Sequence, residues 1–249
     1  MTAGLIGYTG LVGSNLERQH GFELRYNSRN IGEIRGRRFS LLVNAGVSAV
    51  KWKANEEPER DRGAILALWR ELETVEADVF VQISTLDVMP RGAVDEETPV
   101  DASRLEPYGR NRLELERLVA GRFPRRLVVR LPHVFGPGLK KGFVYDLIHS
   151  NALHLTDRRD VFQPYDLGWV WRDVSAFLER GLELVNLATE PISAAELARD
   201  VFGVEFANQC DREPRVYDMR TLHAYREGPG YMYRRDELLD ALRRFREAQ

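Results

Sequence analysis

The residues of this chain whose types and spacing could do chemistry begin at its first turn. A short apolar run ends in Gly7, Gly10 and Gly13, three glycines at three-residue intervals, followed by residues able to wind into a helix. A dinucleotide needs that arrangement: Gly7 lets the backbone turn, Gly10 lets the main chain approach a pyrophosphate without an intervening Cβ, and Gly13 lets the helix lie close to its strand. The amides of the first helical turn then face the anion, which makes Thr9, Leu11 and Val12 cofactor-contacting candidates beside the glycines. A strand-to-helix turn with no ligand is the competing reading. The triplet's place inside the first strand-to-helix unit favours the nucleotide.

Further candidates follow where later strands should end. Asn27, Ser28 and Arg29 stand about 20 residues past the glycines, where an acid would bind both ribose hydroxyls of NAD and an arginine would make room for the extra phosphate of NADP. The first acid after them is Glu33, so Ser28 and Arg29 favour NADP(H), with NAD(H) possible and an ordinary polar turn as the alternative. Ala45 and Gly46 are small enough to leave room for a flat ring or a ribose. Ser84 and Thr85 fall at a sheet's carboxyl edge, where open α/β sheets keep their ligands. Tyr108 and Arg112, four apart, share one helix face. Asp87, His133, Lys140, Lys141 and Arg172 complete the set as candidate substrate contacts.

The elements that must position these residues are legible in outline. The pattern predicts strands at 22–26, 39–43, 78–83 and 126–131, the last two nearly continuous in apolar residues as buried parallel strands are. Helices are predicted over 12–19, 55–76, from Tyr108 through Val119, 193–202 and 235–247, with Pro58 confined to a first turn. The strand at 182–187 can rejoin the sheet. The expected fold is α/β: a Rossmann-type, doubly wound parallel sheet over residues 1–131 and a small C-terminal substrate-binding lobe over 132–249. Apolar positions around Trp69 exceed one narrow stripe, which predicts burial on two sides and a homodimer through this helix and the one beginning at Tyr108.

Composition removes several function classes. With 249 residues and a formal charge of −2, the chain has little pull toward nucleic acid, and its arginines are interleaved with acids, as in Glu57-Pro58-Glu59-Arg60-Asp61-Arg62. Cys210 is the only cysteine, so no internal disulfide or metal cluster is expected, and its expected role is that of a small packing residue. No apolar run approaches the roughly 18 residues that a membrane span needs. A soluble cytoplasmic protein with a small-molecule substrate is expected.

Together Gly7-x-x-Gly10-x-x-Gly13, Ser84-Thr85, Tyr108-x-x-x-Arg112 and Arg130-Leu131-Pro132-His133-Val134-Phe135-Gly136-Pro137 resemble the extended short-chain dehydrogenase/reductases, the superfamily of nucleotide-sugar epimerases, dehydratases and reductases. The resemblance covers about the first 140 residues well and continues more faintly through Trp171-Arg172-Asp173-Val174 and Val185-Asn186-Leu187-Ala188. It implies hydride transfer between C4 of a nicotinamide and a carbinol or ketone carbon, with Tyr108 relaying the proton and Thr85 donating a hydrogen bond to the reacting oxygen. It also implies a cation at position 112 that holds ribose hydroxyls and favours a phenolate, since a free tyrosine with a pKa of about 10 is a poor base. The family has lysine there. Arg112 keeps the charge with a bulkier, fixed fork. The family's dehydratase branch carries an acidic pair after the threonine; here Leu86 breaks it and only Asp87 is acidic, which disfavours dehydration.

The implied function is an NAD(P)-dependent oxidoreductase or epimerase acting on a nucleotide-linked or phosphorylated sugar. Two alternatives stay open: a cofactor-binding regulator or scaffold with attenuated catalysis, and a reductase of a small non-sugar carbonyl.

Overall fold

In this computed structural model, residues 2–225 and 230–249 are described. In chain order the elements are β1 (Ala3–Ile6), α1 (Leu11–Gln19), β2 (Leu24–Tyr26), β3 (Arg38–Asn44), α2 (Lys51–Glu56), α3 (Pro58–Leu72), β4 (Glu76–Thr85), β5 (Gly92–Val94), α4 (Pro107–Arg122), β6 (Arg126–Leu131) and β7 (His133–Phe135). They continue with α5 (Phe143–His149), β8 (Val161–Phe162), β9 (Pro164–Asp166), α6 (Val170–Glu179), β10 (Leu184–Asn186), β11 (Ile192–Ser193), α7 (Ala194–Leu197), β12 (Tyr217–Met219) and α8 (Arg235–Glu247).

Two compact units divide the chain. The first holds Met1–Pro90, Pro99–Arg130 and Gly168–Val185, and the second holds Arg91–Thr98, Leu131–Leu167 and Asn186–Gln249. The segments of the two units alternate along the chain. The amphipathic helix α6 belongs with the first unit, where the Trp171 amide donates to Gln19 of α1 and the Trp171 ring stacks on His20 at 4.0 Å.

The first unit is built on a six-stranded sheet in the order β10-β6-β4-β3-β1-β2. The pairs β1–β2, β1–β3 and β3–β4 are parallel, with Leu5 opposite Val43 and Val43 opposite Val81. The chain leaves β1 to one side for β2 and returns to the other side for β3. That reversal makes a topological switch point, outside which open α/β sheets bind their ligands. Phe39, Leu42, Phe80, Val75, Leu115, Val119 and Phe123 form one buried cluster on a face of the sheet, with the rings of Phe80 and Phe123 stacked at 4.1 Å.

Where one helix is expected over 55–76, the structure has two. The break falls at Glu57, with φ −120° and ψ 63°, because the ring of the following Pro58 drives its predecessor out of the helical region. α2 begins at Lys51, earlier than the apolar periodicity suggests. Of the wide apolar stripe of α3, Ile65 and Leu72 are buried, Leu68 and Trp69 pack against the sheet cluster, and Leu66 stays half-buried.

The second unit has only short ribbons: β5 with β12 and β7 with β9, both parallel, and β8 antiparallel to β11. Ribbons of two or three residues bury little, so polar side chains fasten them. Gln163, fully buried, donates to the carbonyls of Thr189 and Met219 and accepts from the Met219 amide. Asp160 receives Arg212 at 2.6 Å and the Arg215 amide at 2.7 Å. Asp157 takes the Arg159 fork and the Cys210 amide, which holds its carboxyl well below the usual carboxylate range. Helix α8 buries Leu238, Ala241, Leu242 and Phe245.

Candidate functional site

The candidate site is built from turns at the carboxyl ends of β1, β2, β3 and β4 and from the first turn of α4, all in the first unit. At the end of β1, Gly7 sits at φ +84°, and a Cβ on it would lie 2.4 Å from the Ala45 carbonyl. A Cβ on Gly13 would lie 2.1 Å from the Gly7 carbonyl, so both positions require glycine for the protein's own packing. Gly10 differs. A Cβ there would meet only the Gly7 carbonyl, at 3.3 Å, so the open space over it is what a pyrophosphate would use. Gly10 also provides no side-chain cap for α1, whose first amides have no intrahelical acceptor. The residues present therefore fit a dinucleotide.

The neighbouring turns are held by Asn27, itself a sequence candidate, and by Asn30, Asn44 and Gln82, which were not. Asn27 donates to the Tyr8 hydroxyl at 3.1 Å and accepts from the Arg29 amide, while Asn30 accepts from the Asn27 amide, which rigidifies the 27–30 turn beside the glycines. Arg29 is exposed at its tip, as is Ser28, and among the described residues the Arg29 guanidinium makes no hydrogen bond or ion pair. After β3, Ala45 donates to the Ile6 carbonyl and Gly46 donates to the Asn44 side chain. Asn44 in turn donates to Gln82 of β4 at 2.9 Å, both fully out of solvent. This buried amide pair crosses from one strand end to the next.

Thr85 ends β4 and caps the short turn Leu86–Val88: its hydroxyl oxygen accepts from the Asp87 amide at 3.2 Å. A Cβ on Gly109 would lie 1.8 Å from the Asp87 carbonyl, so only glycine lets α4 seat its first turn on that turn. Tyr108 is brought there by this contact and by the bond from its amide to Asn55 at 2.9 Å. Its phenol is almost completely buried, and burial pushes its pKa up; the Arg112 charge opposes that, Asp87 adds to it, and Lys51 opposes it. The Arg112 guanidinium lies 3.6 Å from the ring centroid of Tyr108, a cation–π contact.

Arg112 is itself buried and engaged. Nη1 donates to Asp61 at 2.7 Å and to the Tyr108 carbonyl at 2.9 Å, and Nη2 donates to the Ser48 carbonyl at 2.6 Å and to Asp61 at 3.0 Å. Burial pushes Asp61 up, but hydrogen bonds from Arg112 and Asn111, with the Arg112 charge, outweigh it and leave the carboxyl below its ordinary value. The sequence expectation gave this fork to a ribose; in the structure each Nη atom already donates twice within the protein. Asp61 was legible as a partner only through its burial, since its sequence neighbours are an ordinary charged run. Lys51, at the start of α2, is the other cation of the site, 2.6 Å from Asp87 and 3.2 Å from Glu106.

Behind the site, Ser84 donates to Glu116, which receives Arg130 at 2.8 Å; all three are buried, and they tie β4, α4 and β6 together. Arg172 is exposed on α6 and contacts Asp173. His133, Lys140 and Lys141 belong to the second unit. There His133 packs edge-on against Phe162 and Tyr217, and its Nδ1 accepts from the Gln163 amide at 3.3 Å. Lys140 and Lys141 are exposed. Cys210 is half-buried and its amide donates to Asp157. Among the described residues there is no His, Cys, Asp and Glu group able to hold a metal, and no helix long and apolar enough to cross a membrane.

No protein-family model matches this sequence, and none of the curated proteins resembles it in sequence. Solved structures resemble it in fold. The human epimerase family protein SDR39U1 with NADPH superposes with a TM-score of 0.75 at 16% identity, covering 100% of both chains. The NAD-dependent NDP-hexosamine 5,6-dehydratase TunA gives 0.74 at 16% identity, covering 100% of this chain and 98% of its own. MoeE5 in complex with UDP-glucose and NAD gives 0.67 at 19% identity, covering 98% and 99%. With the switch-point sheet, the glycine turn and the Thr85–Tyr108 junction already in place, this chain has the fold of the extended short-chain dehydrogenase/reductases.

Proposed function

We propose that this protein is an NAD(P)-dependent oxidoreductase or epimerase that moves a hydride to or from a carbinol or ketone carbon of a nucleotide-linked or phosphorylated sugar. The observation that carries the reading is the junction at Gly109, which seats Tyr108 on the Thr85–Val88 turn at the sheet edge that also carries the glycine loop. When bound along Gly7–Gly13, the cofactor supplies or accepts the hydride at C4 of its nicotinamide. Thr85, whose oxygen accepts from the Asp87 amide, donates its hydroxyl proton to Asp87 Oδ2 over a long 3.4 Å and would turn that proton to the substrate oxygen. Tyr108 takes or returns the proton of that oxygen, with Arg112 stacked on its ring. Leu86 is apolar and buried, so the acid pair of a dehydratase is incomplete, and reduction or epimerisation is favoured over dehydration.

Arg29 and Ser28 support NADP(H) over NAD(H), and relatives in fold are described with NADPH and with NAD together with UDP-glucose. The proposal extends to a homodimer through α3 and α4, whose Leu66 and Leu118 stay half-buried in the single chain; sedimentation that finds only monomer at micromolar concentration overturns it. The cytoplasmic assignment stays with the single cysteine.

The competing reading is a cofactor-binding regulator with attenuated catalysis, and the engagement of Arg112 by Asp61 favours it. The deciding experiment follows nicotinamide absorbance with NADPH and NADH against a panel of sugar nucleotides. Cofactor consumption or exchange supports the enzyme, whereas tight cofactor binding without turnover supports the regulator.

A further inference from the structure

Among the described residues two cations stand near Tyr108, and they differ in what surrounds them. Arg112 has Asp61 as a bidentate partner and two backbone carbonyls on its Nη atoms, so its charge is largely matched and its position is fixed. Lys51 comes from another element, α2, and its ammonium contacts Asp87 and Glu106. Asp87 is the carboxylate on the turn that Gly109 touches, and its Oδ2 is 3.4 Å from the Thr85 hydroxyl. Glu106 lies two residues before Tyr108, and the Asn55 amide of α2 joins it at 3.1 Å. The charged groups around the phenol are therefore Arg112 on its own helix, with Asp61 of α3 behind it, Asp87 on the β4 turn, and Lys51 on α2 with Glu106.

We propose that Lys51 is a positioning residue of the Tyr108 site, neutralising Asp87 so that a negative phenol can form beside it, while Arg112 serves chiefly as a strut that fixes the ring. An unmatched Asp87 would oppose any negative charge on Tyr108, since like charges a few ångströms apart disfavour ionisation. Arg112 cannot match Asp87 without releasing Asp61 in a nearly water-free position, where an unpaired carboxylate is costly. A lysine on a flexible stem can follow Asp87 when substrate enters. The inference rests on the proposed role of Tyr108, but its test does not require turnover.

The test is a pH titration by NMR of protein labelled with 13Cζ-tyrosine, the Tyr108 signal being the one of nine lost in Tyr108→Phe. It is run on the protein alone and saturated with NADP+. Lys51→Met is expected to raise the Tyr108 midpoint by about one pH unit, a tenfold loss of phenolate at any lower pH. Lys51→Arg is expected to hold it near its original value. Asp87→Asn placed in the Lys51→Met background is expected to cancel the rise, because Lys51 acts through Asp87. An unchanged midpoint in Lys51→Met overturns the proposal, and so does a rise that persists when Asp87 is neutral. A separate result, full turnover by Tyr108→Phe, would remove the assignment of Tyr108 as the proton relay and leave the electrostatic finding standing.

Discussion

The two units solve the same problem, how to hold charged side chains out of water, with different ends. In the first unit the sheet and its helices bury Phe39, Leu42, Phe80, Leu115 and Val119, so regular backbone bonding and apolar packing hold the fold. Its buried polar groups pair across elements: Asn44 with Gln82 between strands, Arg112 with Asp61 between helices, and Ser84 and Arg130 of two strands with Glu116 of α4. In the second unit the strands are two or three residues long, and Asp157, Asp160, Gln163 and Glu96 bond the backbone of loops that no sheet would order. A buried carboxylate therefore means different things in the two places. In the first unit it shapes the surroundings of Tyr108, and in the second it substitutes for missing secondary structure.

The largest effect that would sharpen this contrast is on rate. Tyr108→Phe keeps a ring for Arg112 to stack on and removes only the hydroxyl, so fold and cofactor affinity should stay close to the parent while the chemical step loses roughly 10²- to 10⁴-fold. Single-turnover kinetics beside cofactor titration checks it; equal loss of affinity and rate would break the distinction for the first unit. In the second unit the same kind of polar deletion should act on stability. Asp160→Ala strands Arg212 and the Arg215 amide and should cost about 3 to 5 kcal/mol. Urea unfolding reads it, and a loss under 1 kcal/mol, about the worth of an ordinary exposed pair, would show that these loops are ordered by something else.

Sequence reasoning reached these two units unequally, for physical reasons. Buried strands such as Arg126–Leu131 announce themselves by continuous apolar residues, and α8 by its period, which matches 235–247. The glycine turn is legible because steric need leaves a residue signature. The contacts around Tyr108 are not, since Asp61 and Lys51 approach it across 47 and 57 positions of chain, Asp61 from a run of interleaved charges and Lys51 from a stretch with no helical signal of its own. The break at Glu57 was half-visible in Pro58, whose ring ends α2 as surely as it starts α3. The second unit's ribbons carry no periodicity at all at their length.

A smaller effect concerns the cofactor. Arg29 is exposed on a turn fixed by Asn27 and Asn30, so Arg29→Ala should leave the fold intact and remove a charge-assisted contact of about 1.5 to 3 kcal/mol with a 2′-phosphate. The NADPH preference should vanish while NADH affinity stays put. Calorimetry with both cofactors decides; an NADH preference in the parent protein would overturn the NADP(H) assignment.

The smallest effect is the acid dependence of stability, and it asks which unit carries it. Asp61, Asp157 and Asp160 all ionise below the ordinary aspartate value of 3.8: burial opposes the lowering at Asp61 and Asp160, whereas Asp157 is lowered first by the Arg159 hydrogen bonds. A carboxyl with a depressed folded value stabilises the native state above its unfolded pKa, and that contribution is lost as pH falls through the folded value. Stability should therefore be level between pH 7 and about 5 as far as these groups are concerned, and decline below about 4. Asp157 is held furthest down, so the steepest part of the decline belongs to the second unit. Asp157→Asn should start lower at neutral pH and fall less on acidification, converging on the parent, while Asp61→Asn should flatten the curve by a smaller amount. Urea midpoints measured across this range give the slopes. Should Asp61→Asn flatten the curve more than Asp157→Asn, the larger charge dependence would sit beside Tyr108 after all, and the contrast between a chemical and a structural use of buried carboxylates would have to be redrawn.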